Sequence, residues 1–271
     1  MDKRFEVGGF CFRLCCPDGL APANLMKFAS DAPEDYTYRI IEAETLPRPA
    51  GDCLARREDA EIYTAPAGEA RLLGARGVPG WRPRFAGVDT AFTGLLALER
   101  RVLPLGGLVL HCAFAVSGGE ALLFSGPSGI GKSTQAGLWQ QYRGADIING
   151  DRALLLPGPD GWTAGGWPVC GSSEICFNQR RKLRAIVLPT QETGNFTQRL
   201  RPAAAFAALY GQVTVNRWNP AACAQAAALL EQLCRRVPVW RLGCTISKNA
   251  VDCLAAALEE EGGVRHETPN P

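Results

Sequence analysis

Apolar and polar positions change spacing several times along the chain, and each change predicts an element. From Phe5 to Cys15 they alternate, the period-two pattern of a half-buried strand. Residues 36–44 read as extended, and 60–64 and 71–73 as short strands between Pro and Gly breaks. Breakers cluster from Gly77 to Pro83. A helical spacing then carries Phe92, Leu95, Leu96 and Arg100 or Val102 across residues 90–102. Residues 108–117 and 121–125 are strand-like, joined by Ser117-Gly118-Gly119-Glu120, a Gly-Gly hairpin signal. A helical stretch over 134–142 follows, then strands over 146–149, 152–156, 162–164 and 184–189. Residues 202–210 and 220–236 predict helices, each with proline in its first turn, where the missing N–H is no loss. A last strand over 239–242 and a helix over 249–260 precede residues 262–271, expected to be a flexible tail.

This order predicts an α/β fold: a core with a mixed sheet over residues 89–261, preceded by a smaller β-rich region over 1–88. A chain of 271 residues holds one large or two modest domains, and 46% hydrophobic residues suffice for a packed core. Net charge changes the picture only by exclusion. At +2 there is no basic field for nucleic acid and no acidic tail. Met1-Asp2-Lys3-Arg4 leads into the alternating stretch rather than an apolar leader, and no run reaches 18 apolar residues. A cytoplasmic protein without membrane spans is expected. The 11 cysteines include no C-x-x-C pair, and the two histidines, His111 and His266, complete no zinc spacing. Cysteines inside apolar patterns behave as small hydrophobes in a reducing compartment.

The candidate chemistry begins at Gly126-Pro127-Ser128-Gly129-Ile130-Gly131-Lys132-Ser133-Thr134, a complete G-x-x-x-x-G-K-[ST] phosphate-binding loop between a strand and a helix. Glycines 126, 129 and 131 let successive N–H groups turn inward around an anion, and the helix start adds its own unpaired N–H groups. The motif predicts a nucleotide triphosphate, with Lys132 reaching the β- and γ-phosphates and Ser133 on Mg²⁺. An ordinary Gly-rich turn is the plainer reading.

A phosphate loop alone does not separate a kinase from a GTPase or a transport ATPase. Asp151 follows Lys132 by 19 residues, suited to hold Mg²⁺ through water or to take a proton from an attacking hydroxyl. Asn149-Gly150-Asp151-Arg152 also reads as a plain hairpin turn. His111 stands as a partner for Asp151 or as a structural histidine. Glu174 stands as a second metal carboxylate or as a surface residue. Arg180, Arg181, Lys182 and Arg184 form a basic run that either folds over the phosphates or is a solvated face; Arg199 and Arg201 are further candidates.

His111, then Gly126 to Ser133, then Asp151-Arg152, then Ser173-Glu174-Ile175 together resemble the C-terminal domain of HPr kinase/phosphorylase. The likeness covers about residues 108–190, and the chain is more similar to the shorter HPr-kinase-like proteins, whose fold is related to phosphoenolpyruvate carboxykinase. The resemblance implies that His111 helps the catalytic aspartate and Lys132 grips the phosphates. It implies that Ser133 and Glu174 bind Mg²⁺, and that Asp151 takes the proton from a serine hydroxyl. Gly150 stands where that family has the first of two aspartates, and Cys176 where it has an arginine.

The expectation is therefore an ATP- and Mg²⁺-dependent kinase for a serine-type hydroxyl of a small protein or peptide. Asp151, His111 and Lys132 are its catalytic candidates, and Ser133, Asp151 and Glu174 its metal candidates. The β-rich start would recognise the acceptor. A kinase for a free hydroxyl-bearing metabolite and a non-catalytic ATP-binding regulatory subunit are the rival readings.

Overall fold

The computed structural model describes residues 1–42, 53–57, 60–65, 69–74, 87–217 and 219–266. The breaker cluster Gly77 to Pro83 and the last five residues lie outside them, as do residues 43 and 44 of the first extended stretch. Among the described residues no helix is long and apolar enough to cross a membrane, and ten cysteines, among them Cys112, Cys170 and Cys176, are free thiols.

The alternating stretch at the start is two strands, not one. β1 (Asp2–Val7) and β2 (Phe10–Cys15) pair antiparallel around Gly8 and Gly9, with φ of 63° and 89°. Positive φ at both central residues is the two-residue hairpin turn whose twist suits the strands. A 3₁₀ turn at Ala23–Phe28 and β3 (Tyr36–Glu42) follow, then β4 (Cys53–Arg57), β5 (Ala60–Ala65) and β6 (Glu69–Gly74). These make a sheet in the order β1-β2-β3-β6-β5-β4.

The expected helix over 90–102 is broken in two, α1 (Asp89–Leu96) and α2 (Leu98–Val102). The break is Ala97, buried and left-handed at φ 48°. A non-glycine residue there costs roughly 1–2 kcal/mol. The buried Tyr38 hydroxyl donates to the Leu96 carbonyl at 2.8 Å, satisfying a group that the broken helix leaves unpaired.

The larger sheet begins with β7 (Leu108–Ser117) and β8 (Glu120–Ser125), joined by the expected Gly118-Gly119 hairpin, both residues at positive φ. Then come α3 (Lys132–Arg143), β9 (Asp146–Asn149), β10 (Arg152–Gly158), β11 (Gly161–Gly165) and β12 (Arg180–Gln191). β13 (Phe196–Arg199), α4 (Pro202–Tyr210), β14 (Val213–Thr214), α5 (Pro220–Arg236), β15 (Val239–Cys244) and α6 (Lys248–His266) complete the chain. α6 runs past residue 262, where a tail was expected to begin.

The order is β11-β10-β7-β8-β12-β15-β13, with β9 and β14 also on β7 and β11 bridging to β12. The sheet is mixed: β12 runs parallel to β8 and to β15, while β7 is antiparallel to β8. Alternate residues of β7 and β8 enter two apolar cores. Ala113, Ala115, Leu122 and Phe124 pack with Trp139 of α3 and Leu254 of α6. Phe114 and Leu123 pack with Leu209 of α4 and Leu230 of α5. Strands buried on both faces lie at the centre of a layered α/β body. A third core crosses residue 88: Phe5, Phe12 and Leu25 pack with Val109, Leu154 and Trp167. The β-rich start is thereby seated directly against the strands that carry the candidate chemistry.

Candidate active site

β8 delivers the chain to the glycine loop, and α3 leaves it. Gly126, Gly129 and Gly131 have φ of 140°, 79° and 107°, a backbone that L side chains rarely adopt. Gly131 caps α3, so the first N–H groups of that helix face the loop. Lys132 is buried, and its Nζ donates to the carbonyls of Gly126 and Pro127, both at 3.0 Å. Two of its three N–H donors are used. Burial pushes the Lys132 ammonium below the ordinary lysine range, and the nearby Asp151 charge opposes that shift.

Asn149-Gly150-Asp151-Arg152 is not a hairpin. β9 and β10 do not pair with each other; both run antiparallel along β7, with Phe114 opposite Asn149 and His111 opposite Arg152. Gly150 and Asp151 are a break in that course, and Asn149 holds the break in shape. Its carboxamide is fully buried, with Oδ1 accepting from the N–H of Asp151 at 2.9 Å and of Arg152 at 2.8 Å. Its Nδ2 donates to the carbonyls of Trp167 at 2.9 Å and Val169 at 3.0 Å. The break thus faces residues 167–176, where a one-turn 3₁₀ segment, Gly171–Ser173, lies over it.

The register of β7 places His111 beside Asp151. Nε2 of His111 is 3.5 Å from Oδ1 of Asp151, and both side chains are partly exposed. Oδ2 of Asp151 accepts from Nε of Arg152 at 3.0 Å, and Nη1 of Arg152 donates to Thr214 at 2.8 Å. Burial, then the Lys132 charge, push the His111 imidazole below its ordinary value; Asp151 and a hydrogen bond with the Gln212 side chain push it up. The net shift is downward, so His111 is neutral near pH 7.

A cleft of about 290 Å³ brings His111, Asp151, Lys132, Ser133 and Thr134 together with Ser128, Gly129 and Gly131 of the loop. Gly126 and Ile130 belong to the same loop but do not line it. Neither does Glu174, an exposed residue with φ 58° that ends the 3₁₀ segment. Arg180, Arg181, Arg184, Arg199 and Arg201 do not line the cleft either. Arg184 sits near Glu120 and donates to the Leu258 carbonyl, Arg181 donates to Arg180 and Gln179, and Arg199 pairs with Glu261. Arg201 precedes α4. The Arg180–Arg184 stretch flanks the entry of β8, because Leu183 pairs with Ala121, roughly 15 Å of strand before the loop.

Ser173 explains the glycine at 150. A Cβ on Gly150 would collide with the Oγ and Cβ of Ser173, whose hydroxyl donates to the Cys170 carbonyl at 2.6 Å. Gly171, at φ 57°, also packs against Asp151, less tightly: a Cβ there would come within 3.2 Å of the carboxyl carbon. Cys170 also lines the cleft; its N–H donates to Asp89 at 3.1 Å, and Asn24 donates to its sulfur at 3.0 Å. Arg152 and Ser173 belong to the motifs that carry the resemblance, but no sequence signal assigned them or Asn149 a supporting role. Asn before Gly-Asp marks a backbone-bonding side chain, but not what its amide nitrogen reaches.

Among the described residues no group of three or more His, Cys, Asp or Glu could hold a metal ion. The cleft offers one carboxylate, Asp151, and several hydroxyls, among them Ser133 at the start of α3. That donor set suits a hard cation that takes its other ligands from phosphate oxygens and water, as Mg²⁺ does, rather than a metal held by protein alone.

No family model and no curated protein matches the chain. Among solved structures, the Hpr(Ser) kinase/phosphatase from Coxiella burnetii is similar with a TM-score of 0.35 at 10% identity, covering 60% of this chain and 99% of that one. The likeness is distant, and the reading of the site rests on its own geometry.

Two outcomes follow from this packing. Gly150→Asp should destabilise the fold by about 2 kcal/mol in chemical denaturation, and adding Ser173→Gly should recover most of that loss. Equal stability of Gly150→Asp and the unaltered chain would contradict the contact. In an NMR titration His111 should protonate below the ordinary histidine value. Lys132→Met should raise its midpoint by removing a repelling charge, and Asp151→Asn should lower it by removing an attracting one. Shifts of the opposite sign would show that these groups do not face one another.

Proposed function

We propose that the chain is a kinase that moves the γ-phosphoryl group of ATP to a serine-type hydroxyl of a small protein or peptide. The observation that carries this reading is the shared cleft: a carboxylate with an imidazole beside it opens onto the same space as a glycine loop, a buried lysine and a helix start. Such a loop suits an anion, and a base facing it suits a hydroxyl that attacks that anion.

The glycine-loop N–H groups hold the phosphates, and Lys132 neutralises charge that grows toward the β,γ-bridge. Ser133 and Asp151 would hold Mg²⁺ together with phosphate oxygens, and the bound ion would supply further charge neutralisation. Asp151 orients the acceptor hydroxyl and takes its proton as the new O–P bond forms and the bond from γ-phosphorus to the bridging oxygen breaks, releasing ADP. A neutral His111 adds no second positive charge beside the Asp151 carboxylate, which Arg152 already pairs. Arg152 fixes the carboxylate from its other oxygen. A protein acceptor is favoured by Phe177, four residues beyond Ser173 of the cleft lining: it is 49% exposed, with Lys27 of the β-rich start 5.7 Å over its ring.

Asp151→Asn should lower transfer at least 10³-fold while affinity for ATP without Mg²⁺ changes less than about threefold, measured by product mass and by calorimetry. Transfer at the unaltered rate would remove Asp151 as the base. A phosphorylated metabolite in place of a phosphopeptide would redirect the acceptor, and bound ATP with no phosphorylated product would remove catalysis altogether.

A further inference from the structure

The loop that follows β15 combines rigidity with an exposed apolar side chain. Three neighbouring strands, β8, β12 and β15, run parallel, so their carboxyl ends open on one side of the sheet. In open α/β sheets ligands bind beyond those ends. The end of β8 is the glycine loop. The end of β12 touches the loop, Gln191 donating to the Gly129 carbonyl at 3.5 Å, and the end of β15 touches the helix that leaves it, Gln135 in the first turn of α3 donating to the Thr245 carbonyl at 3.4 Å.

Residues 244–247 are held from several directions. Asn195 Oδ1 accepts from the N–H of Thr245 at 2.9 Å and from its hydroxyl at 3.2 Å. The hydroxyls of Thr245 and Ser247 lie 2.8 Å apart. Yet Ile246, between them, is 78% exposed, against 50% for the next most exposed large hydrophobic among the described residues. An aliphatic side chain on a loop this constrained is presented outward by its backbone, beside a site suited to anions. Its neighbours carry amide and hydroxyl groups that match the polar edge of a flat heteroaromatic ring.

We infer that Ile246 is the apolar platform for the base of the nucleotide, with the ribose spanning the first turn of α3. The inference rests on the glycine loop holding the triphosphate, and it fixes the direction in which the rest of the molecule extends. The γ-phosphate then lies toward Asp151 and the base toward β12 and β15. Ile246 binds without taking part in the chemistry, so its removal costs affinity alone.

Calorimetry on the full chain with Mg²⁺ separates this inference from the reading beneath it, by comparing ATP with inorganic tripolyphosphate, which has no base. Ile246→Ser should weaken ATP binding about tenfold and leave tripolyphosphate within twofold, and Ile246→Leu should restore ATP binding. Unchanged ATP affinity in Ile246→Ser would place the base elsewhere while the triphosphate site stands. Equal loss of both ligands would make Ile246 a support of the loop, which overturns the platform. No binding of tripolyphosphate by the unaltered chain would overturn the triphosphate reading and the platform with it.

Discussion

One buried carboxamide sets the geometry on which the site depends. Asn149 uses its full bonding capacity, two donors and two acceptor positions, on four backbone groups of two separate segments. Without those bonds, β9 and β10 would have no fixed break between them, and the Asp151 side chain no fixed direction. A buried amide so satisfied is stabilising, whereas its loss leaves several polar groups unpaired, each costing about 1–3 kcal/mol. The same side chain ties residues 167–169 to the break, so the 3₁₀ segment over Asp151 is placed by it too.

From that break the rest follows by register. His111 lies opposite Arg152 on β7, which puts the imidazole at one oxygen of Asp151 while Arg152 holds the other. Cys112 donates its N–H to the Asp151 carbonyl at 2.9 Å, and Ser125 at the end of β8 donates to the His111 carbonyl at 2.8 Å. The carboxylate, the imidazole and the start of the glycine loop are therefore fixed to adjacent strands, not to mobile loops. Phosphoryl transfer asks mainly for such positioning.

Much of this was legible in the sequence, for identifiable reasons. Pro202 and Pro220 marked helix starts because proline suits only the first turn, and Gly118-Gly119 marked a hairpin because both residues need positive φ. Gly8-Gly9 carried the same signal inside the first alternating stretch, and the inward positions change phase there, from Phe5 and Val7 to Phe10, Phe12 and Leu14, because a two-residue turn separates the strands. The break at Ala97 was hidden because helical spacing continues through it; what accepts the break is Tyr38, 59 residues earlier by number. The glycine loop is legible because its backbone needs are local. The place of Gly150 was not, because its cause is Ser173, a contact made across the fold. Nor was the distance of Arg180 and Arg184 from the loop, which depends on the parallel register of β12 with β8.

The central claim is that Asp151 faces the terminal phosphate of a nucleotide seated on the glycine loop. A structure of the chain with a non-hydrolysable ATP analogue and Mg²⁺ tests it directly. The account predicts a γ-phosphate inside the cleft, with room for one hydroxyl oxygen between its phosphorus and the Asp151 carboxylate, about 3–3.5 Å from the former. A γ-phosphate turned away from Asp151, or an analogue bound away from residues 126–134, would contradict it.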